Sequence, residues 1–198
     1  MGWFSALSLP SCAPFFLPPS PLFLERPVAA FSLANYILFM DTVTDTGAPS
    51  FEEILDDFEL LDDWEDRYRY VIELGRKLAP LPEAERNPKT KVEGCVSQVW
   101  LSTTIHRGKS PRLTFVGDSD AHIVRGLIAI LFAIYSGTTA DEILSVDAAN
   151  TLGELHLKDH LTPQRSNGLM AMVTRIRRDA ECAKTNANKT NTNKTNAN

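Results

Sequence analysis

Cysteine is scarce in this chain. Only Cys12, Cys95 and Cys182 occur among 198 residues. An odd number at irregular spacing excludes a disulfide framework and the paired-cysteine spacing of a zinc site, and it fits a reducing compartment. Histidine is nearly as rare, and none of His106, His122, His156 and His160 stands at zinc-ligand spacing with a cysteine. There is no glycine-rich phosphate loop, no Gly-x-Ser-x-Gly elbow and no paired-acid motif. Basic charge is also short: 20 Lys and Arg against 25 Asp and Glu leave a net charge of −5. Phosphate neutralisation needs clustered Lys and Arg, so nucleic acid is not an expected partner.

Long apolar runs are missing too. Residues 1–40 are rich in apolar side chains, but prolines at 10, 14, 18, 19, 21 and 27 forbid a long helix there, and no membrane partner is implied. Glu25 and Arg26 are the only charged side chains of that stretch. It has neither the basic start of a signal peptide nor an Arg-rich amphipathic pattern. Residues 1–45 therefore read as a Pro-rich extension, disordered or upstream of a true start at Met40. The alternative is a divergent segment targeting an organelle. At the other end, "KTNANKTNTNKTNAN" from Lys184 has nothing more apolar than alanine, so residues 184–198 are expected to form a disordered tail.

What is present lies between 50 and 183. Phe51, Ile54, Leu55, Phe58 and Leu61 recur at helical spacing, with acids on the opposite face, either a solvated surface or a docking one. Asp62 or Asp63 can cap a second helix striped by Trp64, Tyr68, Val71, Ile72, Gly75 and Leu78. After Cys95 the period changes: Val99, Leu101, Thr103 and Ile105 alternate with polar or aromatic neighbours, which predicts a strand. "HRGKSP" is turn chemistry and "RLTFV" a second strand, completing a hairpin. In "GDSD", Asp118, Ser119 or Asp120 is placed to cap a buried central helix, "AHIVRGLIAILFAIYSG". Thr139 caps a further helix, "DAANTLGELHL" is a short one, and the last begins near Pro163 with Leu169, Met172, Val173 and Ile176 facing in. Strands segregated from helices predict an α+β domain, a small antiparallel sheet with helices packed on one face.

The chemistry concentrates at Cys95. A cysteine beside a strand is commonly a small buried hydrophobe. Two features favour a working thiol: Gly94 permits unusual backbone geometry, and the position is a loop tip. Val92, Val96 and Val99 offer apolar cover that would raise the thiol pKa, with Gly94 as a hinge to release it. Cys182 lies beside the tail and Cys12 in the extension. With no visible apparatus for activating a substrate, the pattern suits a protein that receives a group from another enzyme. The histidines could not be paired with Cys95 from sequence alone, and for His160 a capping or packing role is expected.

Three segments, "VEGCVSQVWL", "GDSDAHIVRGLIAILFAIYSG" and "HLTPQRSNGLMAMVTRIR", together with "DWEDRYRYVIELGRKL", resemble the SufE-type sulfur acceptors of iron–sulfur cluster assembly over about residues 51–180. The resemblance implies a SufE-like α+β domain that docks a PLP-dependent cysteine desulfurase of the SufS or CsdA type. It implies that the chain accepts a persulfide sulfur on Cys95, stimulates the desulfurase, and passes sulfur to a SufBCD-type scaffold in the cytoplasm. No cofactor or metal is implied for this chain; the PLP belongs to the desulfurase. Gly94 and Gln98 would support the loop. Arg165 matches a partner-interface arginine, and Asp118 and Asp120 match the acids near the cysteine loop, where capping or a structural ion pair are equally open roles. A homodimer is compatible with this picture. A non-carrying adaptor of the desulfurase and a thiol redox protein remain the alternatives, the latter without an obvious resolving cysteine.

Overall fold

The computed structural model describes residues 48–108, 110–157 and 160–195, with side chains to 187, all within one unit, Thr46–Asn198. The expected extension over 1–45, Cys12 included, lies outside the described residues. The element order is α1 (Phe51–Leu60), α2 (Trp64–Lys77), a 3-10 turn (Glu83–Glu85), β1 (Val99–His106), β2 (Arg112–Ser119), α3 (His122–Tyr135), α4 (Ala140–Ser145), α5 (Ala148–Glu154) and α6 (Pro163–Thr195). This is the expected α+β arrangement.

Local chemistry explains the helix starts. Ser50 caps α1 with Glu53 returning the bond, and Thr139 with Glu142 does the same for α4, so each helix has two of its orphan amides satisfied. Asp63 caps α2 and Asp147 caps α5. The start of α3 departs from the expectation. Its N-cap is Ala121, which makes no side-chain capping bond. The polar side chains of "GDSD" are engaged elsewhere: Asp118 with arginines, Asp120 with Gln98, and Ser119 Oγ with Ala121 N at 3.3 Å. The last helix continues through Thr195, into the segment from Lys184 where disorder is expected. No proline or glycine follows Gly168, and extending a formed helix costs far less than starting one.

β1 and β2 pair antiparallel, with Val99 opposite Ser119 and His106 opposite Arg112. The period-two pattern holds: Val99, Leu101, Thr103, Leu113 and Phe115 are buried beneath the helices, while Thr104 and Val116 face out. Helix α3 is the centre of the core, burying Ile123, Leu127, Ile128, Ile130, Leu131 and Tyr135. It crosses α2 at glycines. A Cβ at Gly126 would lie 2.0 Å from the Val71 carbonyl oxygen, and one at Gly75 would lie 2.6 Å from Gly126 N.

That crossing yields a prediction. Gly126→Ala forces the two backbones apart and should cost about 1–3 kcal/mol, as overpacking does. The check is a urea unfolding curve; a midpoint equal to that of the native chain contradicts the close approach.

Candidate functional site

Cys95 occupies the tip of a loop whose neck is closed by the sheet. Val92 N donates to Val99 O at 2.9 Å, and Leu101 N to Thr90 O at 2.7 Å, so the chain before the loop lies along the free edge of β1. Inside the neck, Gly94 has φ +91°, a region that side-chain-bearing residues rarely adopt. A Cβ there would also meet Ala171 Cβ of α6 at 3.4 Å. The turn made by Gly94 lays Cys95 onto α6, where its Sγ donates to the Gly168 carbonyl oxygen at 3.5 Å. Gly168 is buried inside a helix, where glycine costs about 0.5–1 kcal/mol relative to alanine. Beside the thiol opens a cavity of about 350 Å³, lined by Cys95, Val124, Leu127, Arg165, Leu169 and Met172 among others.

The thiol is half-buried, and this desolvation pushes its pKa up, with the negative charge of Glu93 adding to the rise. Donation of the S–H to a carbonyl favours the neutral form further. An ordinary cysteine titrates near 8.5, so the resting group is a thiol at neutral pH and a poor nucleophile. The cover is not the one expected from sequence. Val92 and Val99 are buried, but Val96 is 80% exposed. At a tight tip neighbouring side chains diverge: Cys95 turns in against α6 and Val96 turns out.

The other expected residues divide into two groups. Gln98 and Asp120 act on the loop directly. Gln98 N donates to Asp120 Oδ1 at 2.9 Å, and Asp120 N donates to Gln98 O at 3.3 Å, a double tether three residues beyond the thiol. Asp118 is buried and does not reach Cys95's loop. It accepts from Arg86 Nη2 at 2.6 Å, Arg125 Nη1 at 2.5 Å and Ser119 N at 2.8 Å, which is the structural ion-pair role. Arg165 is half-buried on the cavity wall. His160 packs, as expected, its ring stacked 4.0 Å from that of Trp64. Sequence reasoning passed over Gly168, Arg86 and Arg125. For Gly168 there was a usable signal: a glycine six positions into a helix that otherwise reads as strongly amphipathic needs a reason.

The family model described as "SufE: Fe-S metabolism associated domain" matches residues 52–180. An uncharacterised SufE-like protein of Rhizobium meliloti is 54% identical over 133 residues, covering 67% of this chain and 95% of its own length. Another, of Rhizobium etli, is 56% identical over 133 residues, covering 67% of this chain and 90% of that protein. Among solved structures, the solution structure of a hypothetical protein from Thermus thermophilus aligns with a TM-score of 0.56 at 21% identity, over 70% of this chain and 98% of that one, and so shares its fold.

The elevated thiol pKa gives a measurable pH dependence. The rate of Cys95 alkylation by iodoacetamide should rise with a midpoint above about 8.5, the value of a free cysteine. Glu93→Gln should move that midpoint down, because the lost negative charge opposed the thiolate. The folded chain holds this proton more tightly than the unfolded one. The resulting stability is therefore full below the unfolded thiol's pKa and is lost as pH rises through the folded value. A free-cysteine midpoint in the folded chain rules this out.

Proposed function

The chain belongs to the SufE family, whose domain is associated with iron–sulfur metabolism and whose members work with a cysteine desulfurase, and from that premise we propose that it is a sulfur acceptor acting through Cys95. One observation carries the reading: a half-buried thiol at a glycine-hinged loop tip, seated beside a cavity whose walls combine Val124, Leu127, Leu169 and Met172 with Arg165 and a few neutral polar side chains. A carrier needs such an arrangement, because reactivity of a thiol or persulfide follows its exposure and ionisation.

The transfer is thiol–persulfide exchange. The desulfurase presents a persulfide on its own cysteine. The Cys95 thiolate attacks the outer sulfur of that group, a new S–S bond forms on Cys95, and the old S–S bond breaks with the donor cysteine leaving as a thiolate. One sulfur atom moves with its proton, and no outside oxidant or reductant is consumed. The reading places PLP on the desulfurase and requires no cofactor in this chain. It assigns a SufS- or CsdA-type desulfurase as donor, a SufBCD-type scaffold as the next acceptor, and the reducing cytoplasm as the compartment, since a reactive thiol persists there.

The attack requires Cys95 to leave Gly168 and ionise. The loop can do this without unfolding its neck. Residues 93–97 lie between the Val92–Val99 bond and the Gln98–Asp120 tether, and Gly94 supplies a hinge there. A desulfurase that binds the extended loop more tightly than the seated one selects the reactive form. Arg165, on the cavity wall, is positioned to meet the partner when the loop is out.

Sulfur transfer from a desulfurase supplied with labelled cysteine tests the proposal. Cys95→Ser should abolish label on this chain while leaving desulfurase binding within about twofold, since the swap changes little beyond one atom. Cys182→Ser should load normally. Label that persists on the Cys95→Ser chain overturns the assignment.

A further inference from the structure

Position 168 is bare where the thiol rests on α6. Cys95 Sγ lies 3.5 Å from the Gly168 carbonyl oxygen, and a Cβ added at 168 would have Cys95 as its three nearest contacts: Sγ at 3.5 Å, Cα at 3.7 Å and the cysteine Cβ at 3.8 Å. Those separations are ordinary van der Waals contact. The thiol form thus leaves room for alanine, and alanine is the better helix former. The resting state gives no packing reason for glycine there.

The loaded state does. A second sulfur sits about 2.05 Å beyond Sγ. When it points within about 60° of position 168, it approaches a methyl there to about 3 Å or less, below sulfur–carbon contact, given that bond length. Gly168 and Cys95 both line the cavity, so this is space into which the outer sulfur can turn without leaving the cover of Val124, Leu127 and Met172. Resting on the sulfur-acceptor reading, we infer that Gly168 is a specificity-determining residue: its missing side chain sizes the seat for a cysteine persulfide rather than for a cysteine, so that the cargo is held covered on α6. Gly168 is a positioning element and takes no part in bond making.

The test needs no desulfurase. The chain is loaded with low-molecular-weight cysteine persulfide. The Cys95 thiolate attacks its outer sulfur, the S–S bond of the donor breaks, free cysteine leaves as thiolate, and the proton stays on the transferred sulfur. Loading is read by intact mass, and the loss of the added sulfur to dithiothreitol is then followed with time. Gly168→Ala should melt at or above the native temperature, and its thiol form should be alkylated at the native rate. Its persulfide should be stripped about fivefold faster or more, because the methyl overpacks only the loaded seat. Gly153→Ala is the control, because a Cβ at 153 meets nothing within 4 Å, and it should match the native chain throughout.

Equal persulfide lifetimes in Gly168→Ala and the native chain overturn the inference. So does a clear fall in the melting temperature of Gly168→Ala, which would show that the thiol form already needs the space. A native chain that the small donor cannot load at Cys95 overturns it as well. Failure of transfer from a desulfurase, with loading by the small donor intact, counts against the acceptor reading alone.

Discussion

One buried carboxylate, Asp118, holds the framework to which the cysteine loop is fastened. It is 1% exposed and accepts hydrogen bonds from two arginines that come from different parts of the chain. Arg125, on α3, uses its remaining donors on the carbonyls of Gly75 and Leu78, at the C-terminal end of α2, where helical carbonyls otherwise lack partners. Arg86 follows the 3-10 turn and lies over the Trp100 ring at 5.7 Å. The end of β2, the end of α2, the start of α3 and the turn after residue 85 therefore meet at one charge. Replacing Asp118 leaves both arginines without their shared acid, and breaking a buried pair in this way typically costs about 3–5 kcal/mol. That loss is comparable to a large part of a domain's net stability.

The loop is referred to this anchor by a division of labour between two acids. Asp118 faces inward and fixes the framework. Asp120, two residues on and exposed, grips Gln98 by both its amide and its carbonyl. The seat is tied to the same strand from the other side. Asp179 on α6 accepts from Thr103 Oγ1 at 2.7 Å and pairs with Arg175, whose guanidinium also donates to the Leu101 carbonyl at 3.4 Å. Thiol and seat are thus both positioned from β1, the thiol through the loop neck and Gly168 through α6. A site spanning residues 95 and 168 keeps its geometry because its halves share one reference.

The legible parts of this arrangement were those in which one element reveals its own environment. Alternation over Val99–Ile105 reports a strand with one buried face, and it says so whatever covers that face. Asp63, and Thr139 with Glu142, announce helix starts because a cap is satisfied within its own turn. The SufE family likewise follows from short stretches that are each contiguous in sequence. The polar run at 118–120 misled for the same reason. Three good capping residues precede a helix, and local rules assign one of them to it, yet Asp118 and Asp120 are taken by partners at 86, 98 and 125, and Ser119 Oγ accepts from Ala121 N. Arg86 is an ordinary exposed-looking arginine in sequence. Only the fold brings it to a buried acid 32 positions further along the chain. Local sequence points to the valine neighbours as the cover on Cys95, because it shows what adjoins a thiol along the chain and not which helix lies across from it.

On the sulfur-acceptor reading, the seated thiol sets the energetics of the proposed transfer. A carrier must be unreactive between encounters and reactive within one, and a pKa raised by burial secures the first condition at the expense of the second. The conflict is small because what holds the thiol is small. Leaving the seat breaks one weak S–H bond to Gly168 and re-exposes a side chain that is already half accessible. A neutral hydrogen bond contributes about 0.5–1.5 kcal/mol net. An opening cost of that order corresponds to a closed form favoured about two- to tenfold, which a partner reverses with a few kcal/mol of differential binding. On that reading the cost stays local, since the bonds at Val92 and Gln98 lie outside residues 93–97. An extended loop would free the thiol from both the desolvation and the carbonyl acceptor that disfavour ionisation, so in the proposed cycle one movement delivers position and nucleophile together. On the same reading, return to α6 shelters the cargo by the cover of the cavity wall and not by the S–H bond, because the inner sulfur of a persulfide carries no proton to donate.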